Sequence, residues 1–207
     1  MKLHRHNGGF SMIELAVTMT LIGLLMAAAF PSMSDWLRNL RVRKAAESMQ
    51  YGLQKARTEA LRRNQNVTFW LVTGADERNV DDSCRLSASA GSWVISQSDP
   101  TGQCGTKPAA LSVIETHAAG DGANGVTVAA AAADATSSQC VRFNGLGQLV
   151  DSVVPPDDGC RTPKQISTID LTHISGARQL RVMVSTGGGV RMCDRGVTDP
   201  ADPRACP

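Results

Sequence analysis

The chain has 207 residues, with 21 Lys and Arg against 19 Asp and Glu for a formal net charge of +2, and 42% hydrophobic residues. That balance excludes a disordered chain, leaves room for one domain with a real core, and is too near neutrality to assign a nucleic-acid or membrane-surface partner by charge alone. Residues 1–9 carry Lys2, His4, Arg5 and His6 and no acid, so they are expected to stay cytoplasmic while the remainder is translocated. From Phe10 to Met33 the side chains are almost all apolar or small, and Glu14 is the only formal charge. About 20 such residues at ~1.5 Å rise span a ~30 Å hydrocarbon core. The expectation is a single-pass inner-membrane chain with a cytoplasmic N-terminus and a periplasmic head.

A secretory signal peptide would place its cleavage site after the apolar region, whereas the small pair Gly8-Gly9 precedes it. A carboxylate in a membrane helix costs ~2.5–3.5 kcal/mol at the centre and less near the interface, which makes Glu14 a candidate functional residue. Its natural partner is a cation at the same depth in a neighbouring helix.

Gly9-Phe10-Ser11-Met12-Ile13-Glu14-Leu15 resembles the class III signal of type IV pilins and pseudopilins. The resemblance implies a prepilin peptidase that cuts after Gly9 and methylates Phe10, and Glu14 pairing with the N-terminal amine of an adjacent subunit. Pro31 matches the helix-kinking proline of these proteins. Residues 1–9 then read as leader, 10–35 as a transmembrane and assembly helix, and 36–207 as a periplasmic head.

Within the head, an amphipathic helix is expected over 36–64. Val42, Ala45, Met49, Leu53, Ala56 and Ala60 recur at helical spacing, while arginines, lysines and glutamates fill the other faces. The basic faces suit either an anionic lipid or nucleic-acid contact, or a solvated surface with pairs such as Lys55 and Glu59. A β-domain follows over 65–207. Strands are expected at 67–72, 93–97, 111–115, 126–128, 166–171, 179–184 and 190–193, with 74–92 as a loop and 129–135 ambiguous because alanine favours helix. Residues 141–150 read as a strand, glycine turn, strand hairpin that resembles the Phe-x-x-x-Gly hairpin of the H-type pseudopilin and minor-pilin domain. The acidic residues Asp76, Glu77, Asp81 and Asp82 lack the register of a calcium loop and read as solvated.

Cys84, Cys104, Cys140, Cys160, Cys193 and Cys206 contain no Cys-x-x-Cys, and His4, His6, His117 and His173 are not spaced to complete a metal site. An even number on the translocated side reads as disulfides in an oxidising compartment, with no metal and no cofactor. Proximity favours the pairs 84–104, 140–160 and 193–206 among the fifteen connectivities that six cysteines allow. Closing a loop of the 140–160 size stabilises by ~3 kcal/mol in the chain-entropy treatment.

The tail carries a second resemblance. Arg191-x-Cys193-Asp194 followed by Asp202-Pro203-Arg204-Ala205-Cys206 is similar to the C-terminal signature of minor pilins of the FimU and FimT type, which share the H-type pseudopilin domain. In the FimT branch a Gly-Arg-x-Arg motif captures DNA. Here Gly189-Val190-Arg191 puts valine where an arginine would stand, yet Arg191, Arg195 and Arg204 remain candidate phosphate contacts, the alternative being a solvated arginine group.

No nucleophile elbow, phosphate loop or metalloprotease motif is present, so no enzymatic activity is expected. The fold class expected is α+β: a long N-terminal helical spine, membrane-spanning then amphipathic, packed on a disulfide-stapled antiparallel β-domain. The function implied is a minor pilin that primes or forms the tip of a type IV pilus, with the prepilin peptidase, other minor and major pilins and the inner membrane as partners. A DNA-binding competence pilin and an H-type pseudopilin of a type II secretion system are the alternatives.

Overall fold

The computed structural model describes residues 9–76, 78–109, 112–120, 124–150, 160, 165–176 and 178–207, without the side chains of 28–32. Leader residues 1–8, Glu77, Leu111, the Pro155–Gly159 loop and the Pro31 side chain lie outside that description. Two compact units are present, Met1–Leu37 and Arg38–Pro207. Helix α1, Met12–Arg63, runs through the boundary and is continuous at Pro31.

Both ends of α1 are set by local chemistry. Ser11 is the N-cap: its Oγ accepts the Glu14 N–H at 3.2 Å, and its carbonyl accepts the Glu14 and Leu15 N–H groups. At the other end Asn64 adopts a left-handed conformation with φ of 51°. Gln65 N–H reaches back to the Ala60 carbonyl and Asn64 N–H to that of Leu61, which is the Schellman pattern.

In the Arg38–Pro207 unit, Val42, Ala45, Ala46, Met49, Leu53, Ala56 and Ala60 form the buried stripe of α1. The stripe packs in one cluster with both sheets. The first sheet contains β1 (Val67–Thr73), β2 (Arg85–Leu86), β3 (Ser92–Ser96), β4 (Glu115–His117) and β6 (Cys140–Phe143). Its order is β2-β1-β3-β4, with β6 also paired to β1. β1 is buried on both faces, since Val67, Phe69 and Leu71 join the helix cluster. Trp70 and Val72 join a second cluster with Val94 and the cystines of Cys84–Cys104 and Cys140–Cys160. The two cystines, with Val80, Leu86 and Val113, thus pack on that face.

The second sheet has the order β5-β7-β8-β9, with β5 (Val126–Ala131), β7 (Thr168–His173), β8 (Leu180–Val184) and β9 (Val190–Asp194) all antiparallel. Val128, Ala130, Ile169, Leu171, Leu180, Val182 and Val184 face the core. The alanine run therefore begins as strand: six pairs to β7 outweigh alanine's helical propensity, and Ala135, at φ of 63°, turns the chain away.

Three expectations about the strands are corrected. The 74–92 stretch contains strand β2, paired to β1 through Val72–Leu86 and Thr73–Arg85. The strand expected at 111–115 starts at Glu115 instead, where pairing to Ile95 begins. The second arm of the 141–150 hairpin shrinks to one bridge, Phe143–Leu149, flanked by bonds from Asn144 N–H to the Gln148 carbonyl and from Val150 N–H to the Arg142 carbonyl, while Leu149 N–H, pointing outward, donates to the Thr186 carbonyl at the β8–β9 turn. Among the described residues no helix is long and apolar enough to cross a membrane.

Candidate assembly and arginine sites

The bond that the sequence marks for cleavage, Gly9–Phe10, lies in non-helical chain just before the Ser11 cap. Phe10 is 86% exposed. The cap fixes the first turn and places Glu14 at its third position, where the helix dipole favours a carboxylate. Around and beyond it Ile13, Leu15, Val17, Met19, Leu21, Ile22, Leu24, Leu25 and Met26 are all exposed, on every face of the helix. A helix apolar all round calls for other apolar helices or lipid. Thr18 and Thr20 donate their hydroxyls to the Leu15, Ala16 and Val17 carbonyls, so neither depends on water. Ser11 was not singled out from the sequence, though the Ser-x-x-Glu spacing is the signal that finds it.

Six cysteines form three bridges, Cys84–Cys104, Cys140–Cys160 and Cys193–Cys206. The last holds the tail beside β9, where Asp194 pairs in parallel with Ala205 and its backbone N–H donates to the Arg204 carbonyl at 2.7 Å. This pairs the tail with one end of the β9 edge of the second sheet.

The three candidate arginines meet different fates around that bridge. Arg195 donates to Asp170 at 3.2 Å, on the carboxylate that also holds Arg181 through two bonds of 2.6 and 2.8 Å. Arg204 forms two bonds with Asp202, one at 2.6 Å, and these hold the Asp202 carboxyl at about 2. Arg191 donates to the Ala205 carbonyl and stays exposed. The tail brings Arg191 and Arg204 to the same edge, while Arg195 is turned toward β7 by Asp170. Two of the three guanidiniums are thus already met by carboxylates, which weakens any attraction for phosphate.

A groove of about 590 Å³ opens among α1, the end of β1 and the edge strand β5. Its titratable lining is Lys44, Glu47 and His117. His117 stacks on Trp93 with ring centroids 5.3 Å apart. No group of three His, Cys, Asp or Glu able to hold a metal occurs among the described residues. Asp81 and Asp82 accept backbone N–H groups of Ser83, Gly105 and Thr106, closing the loops that carry them.

A family model described as Type II transport protein GspH matches residues 45–188, more than half of the chain. The chain belongs to the GspH family. A model of the prokaryotic N-terminal methylation motif matches residues 4–30 of this GspH-family chain. Among solved structures it is similar to the type IV minor pilin FimU of Pseudomonas aeruginosa in two crystal forms. One has 17% identity and a TM-score of 0.44, covering 77% of this chain and 92% of FimU. The other has 16% identity and a TM-score of 0.42, covering 76% and 97%. No curated protein matches the chain in sequence. GspH-family proteins are pilin-like structural subunits, and the methylation motif implies peptidase processing and assembly with other pilins.

Proposed function

We propose that the chain is a minor pilin that helps prime or form the tip of a type IV pilus. A prepilin peptidase cuts after Gly9 and methylates Phe10, the helix from Phe10 anchors the precursor in the inner membrane, and the same helix then packs among those of other pilins. Glu14 neutralises a neighbour's N-terminal amine, and the β-domain contacts partner heads. The observation that carries this reading is a capped helix, apolar and exposed on every face, with one carboxylate at its first turn. In water that surface is costly, at ~25 cal/mol per Å² of apolar area, and packing against other apolar helices removes the cost.

Gly9→Leu should block maturation. Glu14→Ala should leave processing and the head's fold intact while abolishing filament priming, because no carboxylate meets the neighbour's amine. Normal piliation in both variants would sink the proposal.

A second reading, an H-type pseudopilin of a type II secretion machine, is favoured by the match to the GspH family of type II transport proteins. Secretin and secretion ATPase genes beside this one support it, whereas neighbouring minor-pilin and tip-adhesin genes support the pilus.

A further inference from the structure

Asn7, Asn124 and Asn144 each precede a glycine. In an Asn-Gly pair the following main-chain nitrogen can attack the side-chain amide with little hindrance, because glycine has no Cβ to shield it and rotates freely. Asn7 lies in the leader, outside the described residues. The other two stand in turns of the Arg38–Pro207 unit, and the fold treats them in opposite ways.

Attack requires the asparagine side chain and main chain to rotate until the glycine nitrogen meets Cγ and closes a five-membered ring. At Asn144 that rotation is held back on both sides of the bond. The Asn144 Oδ1 accepts the Leu146 and Gln148 N–H groups at 2.9 and 3.0 Å. Its own N–H donates to the Gln148 carbonyl at 2.9 Å, and its carbonyl accepts the Gly147 N–H at 2.8 Å. A Cβ added at Gly145 would meet Asn64 Cα and C at 3.0 Å, so that glycine lies against main chain at the end of α1.

Asn124 has none of these restraints. It is exposed in the turn before β5, and among the described residues its carboxamide makes no hydrogen bond. Gly125 follows at φ of 77°, with its carbonyl accepting the Ile174 N–H at 3.2 Å. Among the described residues neither the Gly125 nor the Gly145 N–H finds a main-chain acceptor, so the attacking group is equally free at both sites. What differs is the hold on the asparagine.

We propose that Asn124 is a self-modification site, and that the turn around Asn144 protects it from the same reaction. The Gly125 nitrogen loses its proton to hydroxide and bonds to Asn124 Cγ, the Cγ–Nδ2 bond breaks, and the leaving nitrogen takes up protons from water as ammonia. Water then opens the succinimide. Attack at Cγ gives aspartate, and attack at the main-chain carbonyl gives isoaspartate. One water is consumed and one ammonia released, with no oxidant, metal or enzyme. Each chain that reacts gains one negative charge. In the isoaspartyl form the main chain runs through the side-chain carbon and is one methylene longer, directly before the Gly125–Ile174 bond. The inference stands whether or not the chain assembles with other pilins.

The test ages the full chain, oxidised and held in detergent, at mildly alkaline pH. Peptide mass spectrometry reads the conversion of amide to acid at each asparagine, and chromatography separates aspartyl from isoaspartyl peptides. Conversion at Asn124 should outrun that at Asn144 by about tenfold or more, since two carboxamide hydrogen bonds must open first at Asn144. In denaturant with the disulfides reduced, the two rates should converge, because both sites are then the same dipeptide in an open chain. Asn124→Gln should remove the fast phase and leave the slow one as it was. No conversion at Asn124, equal rates in the folded chain, or a difference that persists in denaturant overturns the proposal. Hydrogen exchange at the Ile174 N–H should be faster in the isoaspartyl form, and unchanged exchange there overturns the effect on the start of β5.

Discussion

Gly52 sits where α1 comes closest to the first sheet, and replacing it with alanine sets two known effects against each other. An alanine at a helix interior gains about 1 kcal/mol over glycine from backbone entropy. Here the added methyl would meet Phe69 Cε2 at 2.7 Å and Trp93 Cε2 at 2.9 Å, closer than such atoms approach. Neither ring is free to give way. Trp93 donates its Nε1–H to Ser48 Oγ at 3.0 Å, stacks on His117, and lies 5.8 Å from the Phe69 ring. Relief must come from lifting α1, which loosens the contacts of Met49, Leu53 and Ala56 as well. Overpacking of this kind costs about 1–3 kcal/mol, and with two fixed rings the upper part of that range applies. The net expectation for Gly52→Ala is a loss of about 1–2 kcal/mol, or a Tm lowered by about 3–8 °C for a unit of this size. The measurement is denaturant and thermal unfolding of Arg38–Pro207, the compact unit that holds every buried apolar residue described. A midpoint raised at unchanged m-value would show that helix propensity wins and would refute the packing argument.

Two further outcomes follow from the charges. Glu59 is held at about 2, down from 4.5, first by its hydrogen bond from Arg62 and then by Arg63, against the opposing effect of burial. A depressed carboxylate stabilises the fold above its unfolded value, and that stability is lost as pH falls from 4.5 toward 2. At ~1.4 kcal/mol per pH unit the ceiling is about 3 kcal/mol, and solvent screening of the exposed arginines reduces it to about 1–2 kcal/mol. Unfolding free energies measured between about pH 6 and pH 2 should therefore fall by about that much less for Glu59→Gln than for the wild type, and parallel curves would count against the ion cluster. Arg195 and Arg204 are already paired with Asp170 and Asp202, so replacing both with alanine should leave duplex DNA association within about twofold at moderate salt. A tenfold loss would show that these guanidiniums leave their carboxylates for phosphate.

Some of the architecture is legible in residue order. Helix stripe, strand alternation and glycine turns carry their own periods, so α1, β1, β3 and the β7–β9 meander stand close to where the pattern places them. The departures occur where pattern is silent. Ala129–Ala131 has the composition of a helix, and only the β7 ladder makes it strand. Leu149 continues an apparent hairpin, yet its N–H belongs to the other sheet's turn. At the candidate sites, residue type pointed to Arg191, Arg195 and Arg204 as one group, but the acids that divide them, Asp170 and Asp202, stand on separate elements.

The sequence by itself determined the chemistry that is local: an N-terminal methylation motif within residues 4–30, an apolar helix start, and enough cysteines to close the head covalently. Each of these depends on neighbours a few residues apart, where spacing is geometry. The tertiary structure alone decided what residues far apart do to one another. It set β1 between two apolar layers, tied the Asn144–Gln148 turn to α1 through Arg57, and used Gly52 to let α1 approach Phe69 and Trp93. Those are contacts across packed elements, and no period in the chain encodes which pairs will meet.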